Sequence, residues 1–152
     1  METSVTKVLD DQGIEYKAIK HKTPVFTCEE AARERNVRIS QILKCMVVKD
    51  SASGIYVMLI PGDKKLKTGK LPQITGGNKV ALVSPEELSS RYGLTVGAIS
   101  PIHFLGSAKF YLDKTALSEA VTTISSGSPE AGVELKMKDL VDLIKPLICD
   151  IV

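Results

Sequence analysis

The sequence is poor in the residues that build metal centres and disulfide frameworks. Its cysteines are Cys28, Cys45 and Cys149, and its histidines are His21 and His103. The cysteines are odd in number, far apart and without a C-x-x-C pair, which indicates a reducing compartment and no disulfide framework. No group of cysteines and histidines has the spacing of a zinc site. We therefore expect neither a metal nor a cofactor.

Long apolar runs and a strong charge of one sign are also missing. No apolar stretch is long enough to cross a bilayer, and no charged-then-apolar leader follows Met1. The formal net charge of +2 argues against a protein that coats nucleic acid over its whole surface. No repeat or linker divides the chain, so we expect one domain over residues 1–152, in the cytoplasm and without a membrane partner.

Several catalytic motifs are absent as well. The chain has no G-x-x-x-x-G-K-[ST] phosphate loop, no G-x-G-x-x-G dinucleotide fingerprint and no G-x-S-x-G nucleophile elbow. These absences leave no sequence signal for nucleotide-dependent chemistry or for a serine nucleophile of the α/β-hydrolase type.

The most informative residue that is present is Lys44, which lies inside the most apolar stretch of the chain. Residues 42–48 read Ile-Leu-Lys-Cys-Met-Val-Val, a pattern typical of a buried strand. Alternation places Lys44 on one face with Met46 and Val48, while Cys45 points to the other. Because an unpaired ammonium is costly to bury, Lys44 either extends to an edge of the sheet or lines a pocket.

A second basic feature follows the next apolar stretch. Between residues 63 and 79 one acid, Asp63, stands against a cluster of lysines, namely Lys64, Lys65, Lys67, Lys70 and Lys79. Such a cluster can hold a phosphate backbone without reading its sequence. The alternative is a solvated, loop-rich face.

Two loops are candidates for binding a small polar group. Gly97-Ala98-Ile99-Ser100-Pro101 combines a glycine that permits close backbone approach with a proline that stiffens the turn. The Ser/Gly/Pro-rich segment 125–132, which contains Gly127, is either a second binding loop or an ordinary hairpin turn. His21 either lines a site or lies at the surface, and the Ser100 hydroxyl either selects substrate or caps the turn.

The pattern of many short strands with helices between them predicts an α+β fold with a mixed sheet. We expect the strands of residues 42–48 and 55–60 to pair as a hairpin. Predicted helices cover residues 3–12, 27–36, 84–93 and 139–144, and a turn covers 76–78. Predicted strands cover residues 14–20, 42–48, 55–60, 79–83, 102–105, 110–112, 121–124 and 133–137.

The order and spacing of these features resemble the YbaK/prolyl-tRNA-synthetase-associated family of trans-editing aminoacyl-tRNA deacylases. The features are the capped 27–31 helix start, Lys44 in its strand, residues 62–65, the 93–101 loop and the 125–132 loop. The resemblance covers nearly the whole chain. It implies a mixed, barrel-like sheet with flanking helices and hydrolysis of mischarged aminoacyl-tRNA, commonly tRNA(Pro), with prolyl-tRNA synthetase as a possible partner.

The resemblance also implies roles for particular residues. Lys44 matches the family's essential lysine, and Gly97 to Pro101 matches its substrate loop. The chain departs from the family pattern at Cys45, where threonine is common, and at 128–130, where a basic residue is common. We hypothesise that Lys44 contacts the terminal phosphate or the ester carbonyl, and that water or a substrate group is the nucleophile. The alternative is a non-catalytic module that binds tRNA or aminoacyl-tRNA.

Overall fold

The computed structural model describes residues 1–76 and 79–152. The helices are α1 (Ser4–Asp11), α2 (Cys28–Arg35), α3 (Leu71–Thr75), α4 (Pro85–Tyr92) and α5 (Met137–Ile144). The strands are β1 (Tyr16–Lys20), β2 (Leu43–Asp50), β3 (Ile55–Pro61), β4 (Val80–Leu82), β5 (Lys109–Asp113), β6 (Val121–Ser128), β7 (Ala131–Lys136) and β8 (Leu147–Cys149).

The helix boundaries follow the capping residues of the sequence. The Thr27 side chain accepts a hydrogen bond from the backbone N–H of Glu30 and so starts α2, which ends at Asn36 in a left-handed conformation. The Ser84 side chain starts α4 in the same way, and Gly93 ends it with a φ of 67°. The predictions for these two helices are confirmed.

The strands form two sheets. One has the order β1-β7-β6 and is antiparallel, and the other has the order β4-β2-β3-β5-β8. In the larger sheet β2 pairs antiparallel with both β3 and β4, while β3–β5 and β5–β8 are parallel. The α+β class and the mixed sheet are confirmed. The sheets meet at a bridge between Ile42 and Thr123 and do not close into a barrel in the part of the chain described.

The main hydrophobic core lies between the two sheets. Leu43 and Val47 of β2 pack there with Ile124 and Val133 of the smaller sheet, and α1 and α5 cover the ends with apolar side chains such as Leu140. The opposite face of the larger sheet carries a second cluster, which includes Val48, Met58, Ile60, Leu71 and Ile151. Both faces of β2 therefore pack against apolar clusters, as the apolar run around Lys44 predicts.

The hairpin of β2 and β3 places Lys44 directly opposite Ile60. Lys44 is the second residue of β2, so it lies at the end of the second apolar cluster and not in its middle. The hairpin prediction is confirmed, and the position near a strand end gives the ammonium a way out of the apolar layer.

One predicted strand is wrong. Residues 102–105 do not form a strand, because Pro101–Phe104 is a 3₁₀ turn. Pro101 fixes its own φ, and the Ser100 side chain accepts a hydrogen bond from the N–H of Ile102, so the local chemistry initiates a turn before any strand pairing. The turn predicted at 76–78 lies largely outside the described residues, since only Gly76 belongs to them.

None of the helices in residues 1–76 and 79–152 has both the length and the apolar content needed to cross a membrane.

Candidate active site

A cavity of about 370 Å³ opens beside the start of α2. Its walls come from α2 and the residues before it, from the beginning of β2, and from the loop before Pro101. The residues that bear on its chemistry include Lys44, Gly97, Ile99, Arg35 and Ser125. The volume lies towards the lower end of the range found for small-molecule sites.

Lys44 supplies a cation to the wall of this cavity. It is half-buried, and its Nζ donates a hydrogen bond to the backbone oxygen of Lys64 at 3.0 Å. No carboxylate lies within ion-pair distance of Lys44 in the part of the chain described. The ammonium is held in place by a neutral carbonyl, so its charge stays available to a ligand.

Two features of position 97 require a glycine there. Its φ is +90°, which L side chains rarely adopt, and an added Cβ would lie 2.8 Å from the Cα of Phe26 and 3.2 Å from the backbone oxygen of Val25. The loop therefore packs directly against the backbone that leads into α2. This contact forms one wall of the cavity.

The other residues of the 97–101 loop either line the cavity or are buried behind the lining residues. Ile99 lines the cavity with Gly97, whereas Ala98, Ser100 and Pro101 are buried behind them. The N–H of Ser100 donates to His103 Nδ1 at 3.2 Å, and its hydroxyl oxygen accepts from Ile102 N–H at 3.3 Å. Ser100 thus caps the turn, which was one of the two roles left open by the sequence.

His21 is 4% exposed and is not among the residues that line the cavity in the described structure. Its Nδ1 donates to the backbone oxygen of Pro129 at 2.7 Å, so its Nε2 accepts a hydrogen bond from Arg35 Nε at 3.1 Å. Burial lowers the pKa of His21, which favours this neutral tautomer. The histidine therefore reaches the cavity only through Arg35.

Arg35 is a lining residue that the sequence did not single out. It is 7% exposed, and its Nη1 donates to the Thr123 hydroxyl at 2.9 Å. Its helix reads as a polar segment, Cys-Glu-Glu-Ala-Ala-Arg-Glu-Arg, so no local pattern marks the last arginine as buried. Arg35 is buried because the smaller sheet covers the end of α2.

Gly127 lies beside the cavity and not on its wall. Its φ is +93°, and an added Cβ would lie 3.1 Å from His103 Nε2. Ser125, two residues earlier, does line the cavity, and its Oγ accepts a hydrogen bond from the N–H of Gly127 at 3.1 Å. The segment is therefore both a hairpin turn between β6 and β7 and a contributor of one side chain to the site.

The lysine cluster is not uniform. Lys64, Lys65 and Lys67 are exposed, whereas Lys70 is half-buried and its Nζ lies 3.3 Å from Asp150 Oδ1. Lys64 is linked to the cavity through its backbone oxygen, which accepts from Lys44. This contact places the beginning of the cluster next to the cavity.

The cysteines near the cavity are poor nucleophiles. Burial raises the pKa of the Cys28 thiol, although the charge of Lys44 acts in the opposite direction. Burial also raises the pKa of Cys45 far above its ordinary range. Both side chains are protonated thiols at neutral pH. Within the described residues no cluster of histidine, cysteine, aspartate or glutamate side chains could hold a metal ion.

Comparison with known proteins gives consistent results. Residues 22–143 match the model of the aminoacyl-tRNA editing domain family. EbsC of Enterococcus faecalis, whose name proposes a Cys-tRNA(Pro)/Cys-tRNA(Cys) deacylase, is 23% identical over 143 residues, covering 93% of this chain and 87% of EbsC. A proline–tRNA ligase of Thermosipho melanesiensis is 27% identical over 104 residues, which cover 68% of this chain but only 18% of the ligase.

Solved structures show the same fold. The crystal structure of the hypothetical protein APE2540 superposes with a TM-score of 0.90 at 26% identity, covering 98% of this chain and 99% of that one. A protein proposed to be a trans-editing enzyme for prolyl-tRNA synthetase superposes with a TM-score of 0.86 at 24% identity, covering 99% and 98%. With a family model that spans most of its length, the chain belongs to the aminoacyl-tRNA editing domain family.

Proposed function

We propose that this protein is a trans-acting aminoacyl-tRNA deacylase, which hydrolyses the ester of a mischarged tRNA, with tRNA(Pro) carrying a small non-cognate amino acid as the first candidate. The observation that carries the proposal is the cavity of about 370 Å³ with Lys44 on its wall, in a chain of the editing-domain family. EbsC, whose name proposes a deacylase, supports the same activity class.

The reaction breaks the ester bond between the amino-acid carbonyl carbon and a ribose oxygen. Water adds to the carbonyl carbon and generates a tetrahedral oxyanion, which collapses with release of the ribose oxygen. The proton of the water passes to that oxygen, so the products are the free amino acid and tRNA with both terminal hydroxyls. A fixed cation such as Lys44 stabilises charge that develops on the oxyanion or on the adjacent phosphate.

Positioning supplies the other part of the rate. The Gly97 loop is held rigidly against the Val25–Phe26 backbone, so its groups can orient the aminoacyl ester without rearrangement. Glu29 also lines the cavity, but it is exposed at the entrance, and neither histidine lines the cavity in the described structure. This arrangement favours a route in which a substrate group assists the attacking water.

The size of the cavity limits what can be hydrolysed. One methylene in an apolar pocket discriminates by only about 1–3 kcal/mol, so synthetases for small amino acids benefit from a second, separate hydrolytic sieve.

We propose that the exposed lysines Lys64, Lys65 and Lys67, together with Lys70, hold the acceptor end of the tRNA. An association with prolyl-tRNA synthetase and a cytoplasmic location remain predictions.

The test is deacylation of tRNA(Pro) charged separately with alanine, cysteine, serine and proline, by the wild-type protein and by Lys44→Ala. We expect release of at least one non-cognate amino acid, retention of proline, and loss of activity in Lys44→Ala. Lys7→Ala, which removes an exposed lysine on α1, is the matched control. Binding of charged tRNA without any hydrolysis would instead support the non-catalytic module.

A further inference from the structure

A buried arginine without an acidic partner lines the cavity. Arg35 is 7% exposed, and no carboxylate lies within ion-pair distance of it among the residues that the structure describes. Burial lowers its pKa to about 10, so it is still a cation at neutral pH. A buried charge without a counter-charge is destabilising, so its retention in a cavity wall needs an explanation.

The guanidinium is held in one orientation by neutral partners. Nε donates to His21 and Nη1 donates to Thr123, which leaves Nη2 without a partner among residues 1–76 and 79–152. No fully buried side-chain nitrogen or oxygen in the described part of the chain lacks a partner, so Nη2 is accessible to solvent, and the cavity that Arg35 lines is the surface it is expected to face. Its two N–H groups are therefore free to donate to a ligand.

The backbone of β7 is adapted to this side chain. An added Cβ at Gly132 would lie 2.1 Å from Arg35 Nε and 2.5 Å from its Cζ, so only glycine lets the guanidinium lie against the strand. His21 adds a second constraint, because its Nδ1 is fixed on Pro129 and its Nε2 is thereby available to accept from Arg35. This degree of preorganisation is characteristic of binding groups.

Arg35 is the least exposed of the charged residues that line the cavity, which places it towards the inner end. At the entrance, Phe26 is 52% exposed and Val96 is 46% exposed, while Ser125, like Arg35, is buried. Lys44 has an intermediate exposure. An aminoacyl ester that enters with its ribose and phosphate near Lys44 would thus direct its amino-acid side chain towards Arg35 and Ser125.

We propose that Arg35 is a specificity-determining residue, which selects an aminoacyl group whose side chain carries a hydrogen-bond-accepting oxygen, either a hydroxyl or a carboxylate. This inference rests on the proposed deacylase function. Hydrogen-bonding sites reject analogues that lack the matching group, because buried polar groups are then left unpaired. An alanyl or cysteinyl group would leave Nη2 unsatisfied, whereas a seryl, threonyl or aspartyl group would pair with it.

The experiment compares the rates of deacylation of one tRNA transcript charged with serine, threonine, aspartate, alanine or cysteine. We expect kcat/KM for at least one oxygen-bearing side chain to exceed that for alanine by about tenfold or more. Serine and threonine test the hydroxyl, and aspartate tests the carboxylate. Equal or faster release of alanine or cysteine by the wild-type protein would overturn the proposal without any need for a variant.

Arg35→Met then tests the residue itself. We expect it to reduce the ratio of seryl or aspartyl to alanyl hydrolysis towards one, chiefly because hydrolysis of the oxygen-bearing side chains becomes slower. Arg33→Met, which removes an exposed arginine of the same helix, should leave the ratio unchanged. A purely structural role would lower all rates together and would contradict the proposal.

Gly132→Ala provides a second route if Arg35→Met does not fold, because the added methyl group displaces the guanidinium without removing it. It should reduce the same ratio. Failure of the proposed function is distinguishable, since no aminoacyl ester of any kind would then be hydrolysed. Hydrolysis of all five esters at equal rates would overturn the role of Arg35 and leave the deacylase function intact.

Discussion

The two cations of the cavity differ in almost every respect except their sign. Lys44 lies near the end of a strand, half-exposed, and is held by the backbone oxygen of Lys64. Arg35 lies at the end of a helix, buried, and is held by His21 and Thr123. The first arrangement leaves the cation open to solvent at the cavity wall, which suits the proposed charge stabilisation during hydrolysis. The second gives a rigid donor suited to discrimination between ligands.

Removal of Lys44 should have the largest effect. Loss of one preorganised charge-stabilising group lowers kcat by about a hundredfold to a thousandfold in other hydrolases, and we expect Lys44→Ala to fall in this range. Lys44→Arg keeps the charge but not the contact geometry, so we expect it to restore little activity. Single-turnover deacylation measures the change in the rate of hydrolysis, and a thermal melt measures any change in stability. An undiminished kcat in Lys44→Ala would show that Lys44 does not stabilise charge during hydrolysis.

Substitution at Gly97 should have the next largest effect. Gly97→Ala combines a positive φ with a contact of 2.8 Å to the Phe26 Cα, so the loop must move away from the cavity wall. We expect a loss of about 1–3 kcal/mol in the free energy of unfolding and at least a tenfold loss in kcat/KM. Gly106→Ala is the control, because its φ is +80° but an added Cβ meets no atom within 4 Å. Equal activity losses in both variants would contradict a specific role for the Gly97 wall.

The lysine cluster should contribute to binding and not to chemistry. For the double variant Lys64→Ala/Lys65→Ala, we expect KM to rise severalfold at low salt with kcat nearly unchanged. Because each phosphate contact contributes a slope of about −0.7 to −0.9 in log K against log salt, the slope for tRNA binding should become less steep by about one to two. Filter binding at several salt concentrations measures the slope. An unchanged slope would assign the cluster to a solvated face, the alternative left open by the sequence.

The smallest effect should be a pH dependence that originates in the support of Arg35. Burial lowers the pKa of His21, and the nearby charge of Arg35 acts in the same direction. The unfolded chain therefore binds a proton more readily than the folded protein does. The stability that the neutral ring contributes is complete above the ordinary histidine pKa of about 6.5 and decreases as the pH falls below it.

Denaturation of wild type and His21→Gln between pH 5 and pH 8 measures this effect. His21→Gln should have a shallower loss of stability at low pH, and the remaining slope should include His103, whose pKa is also lowered by burial. If the slopes of unfolding free energy against pH are indistinguishable for the two proteins, protonation of His21 does not contribute to the pH dependence.

Helices α2 and α4, the β2–β3 hairpin and the strand that carries Lys44 were predictable because local chemistry defines them. Thr27, Ser84 and Gly93 mark helix ends through hydrogen bonds with near neighbours, and the apolar run around Lys44 has no stable alternative to a buried strand. The error at 102–105 has the same origin, because a locally capped turn after Pro101 prevailed over an apolar pattern that resembled a strand.

The roles of His21 and Arg35 were not predictable in this way. His21 contacts Pro129, and Arg35 contacts Thr123 and lies against Gly132. Each of these partners is 88 or more residues away along the chain. No residue pattern near Arg35 reports that a distant sheet will cover it.

The sequence by itself determined that the apolar run 42–48 contributes a buried strand interrupted by one lysine, and that α2 and α4 begin and end where they do. Only the tertiary structure decided that Lys44, Gly97 and Arg35 share one cavity, and that His21 supports it from behind. The physical reason is that periodicity and capping depend on interactions within a few residues, whereas the burial of a charge depends on which distant strands exclude water from it.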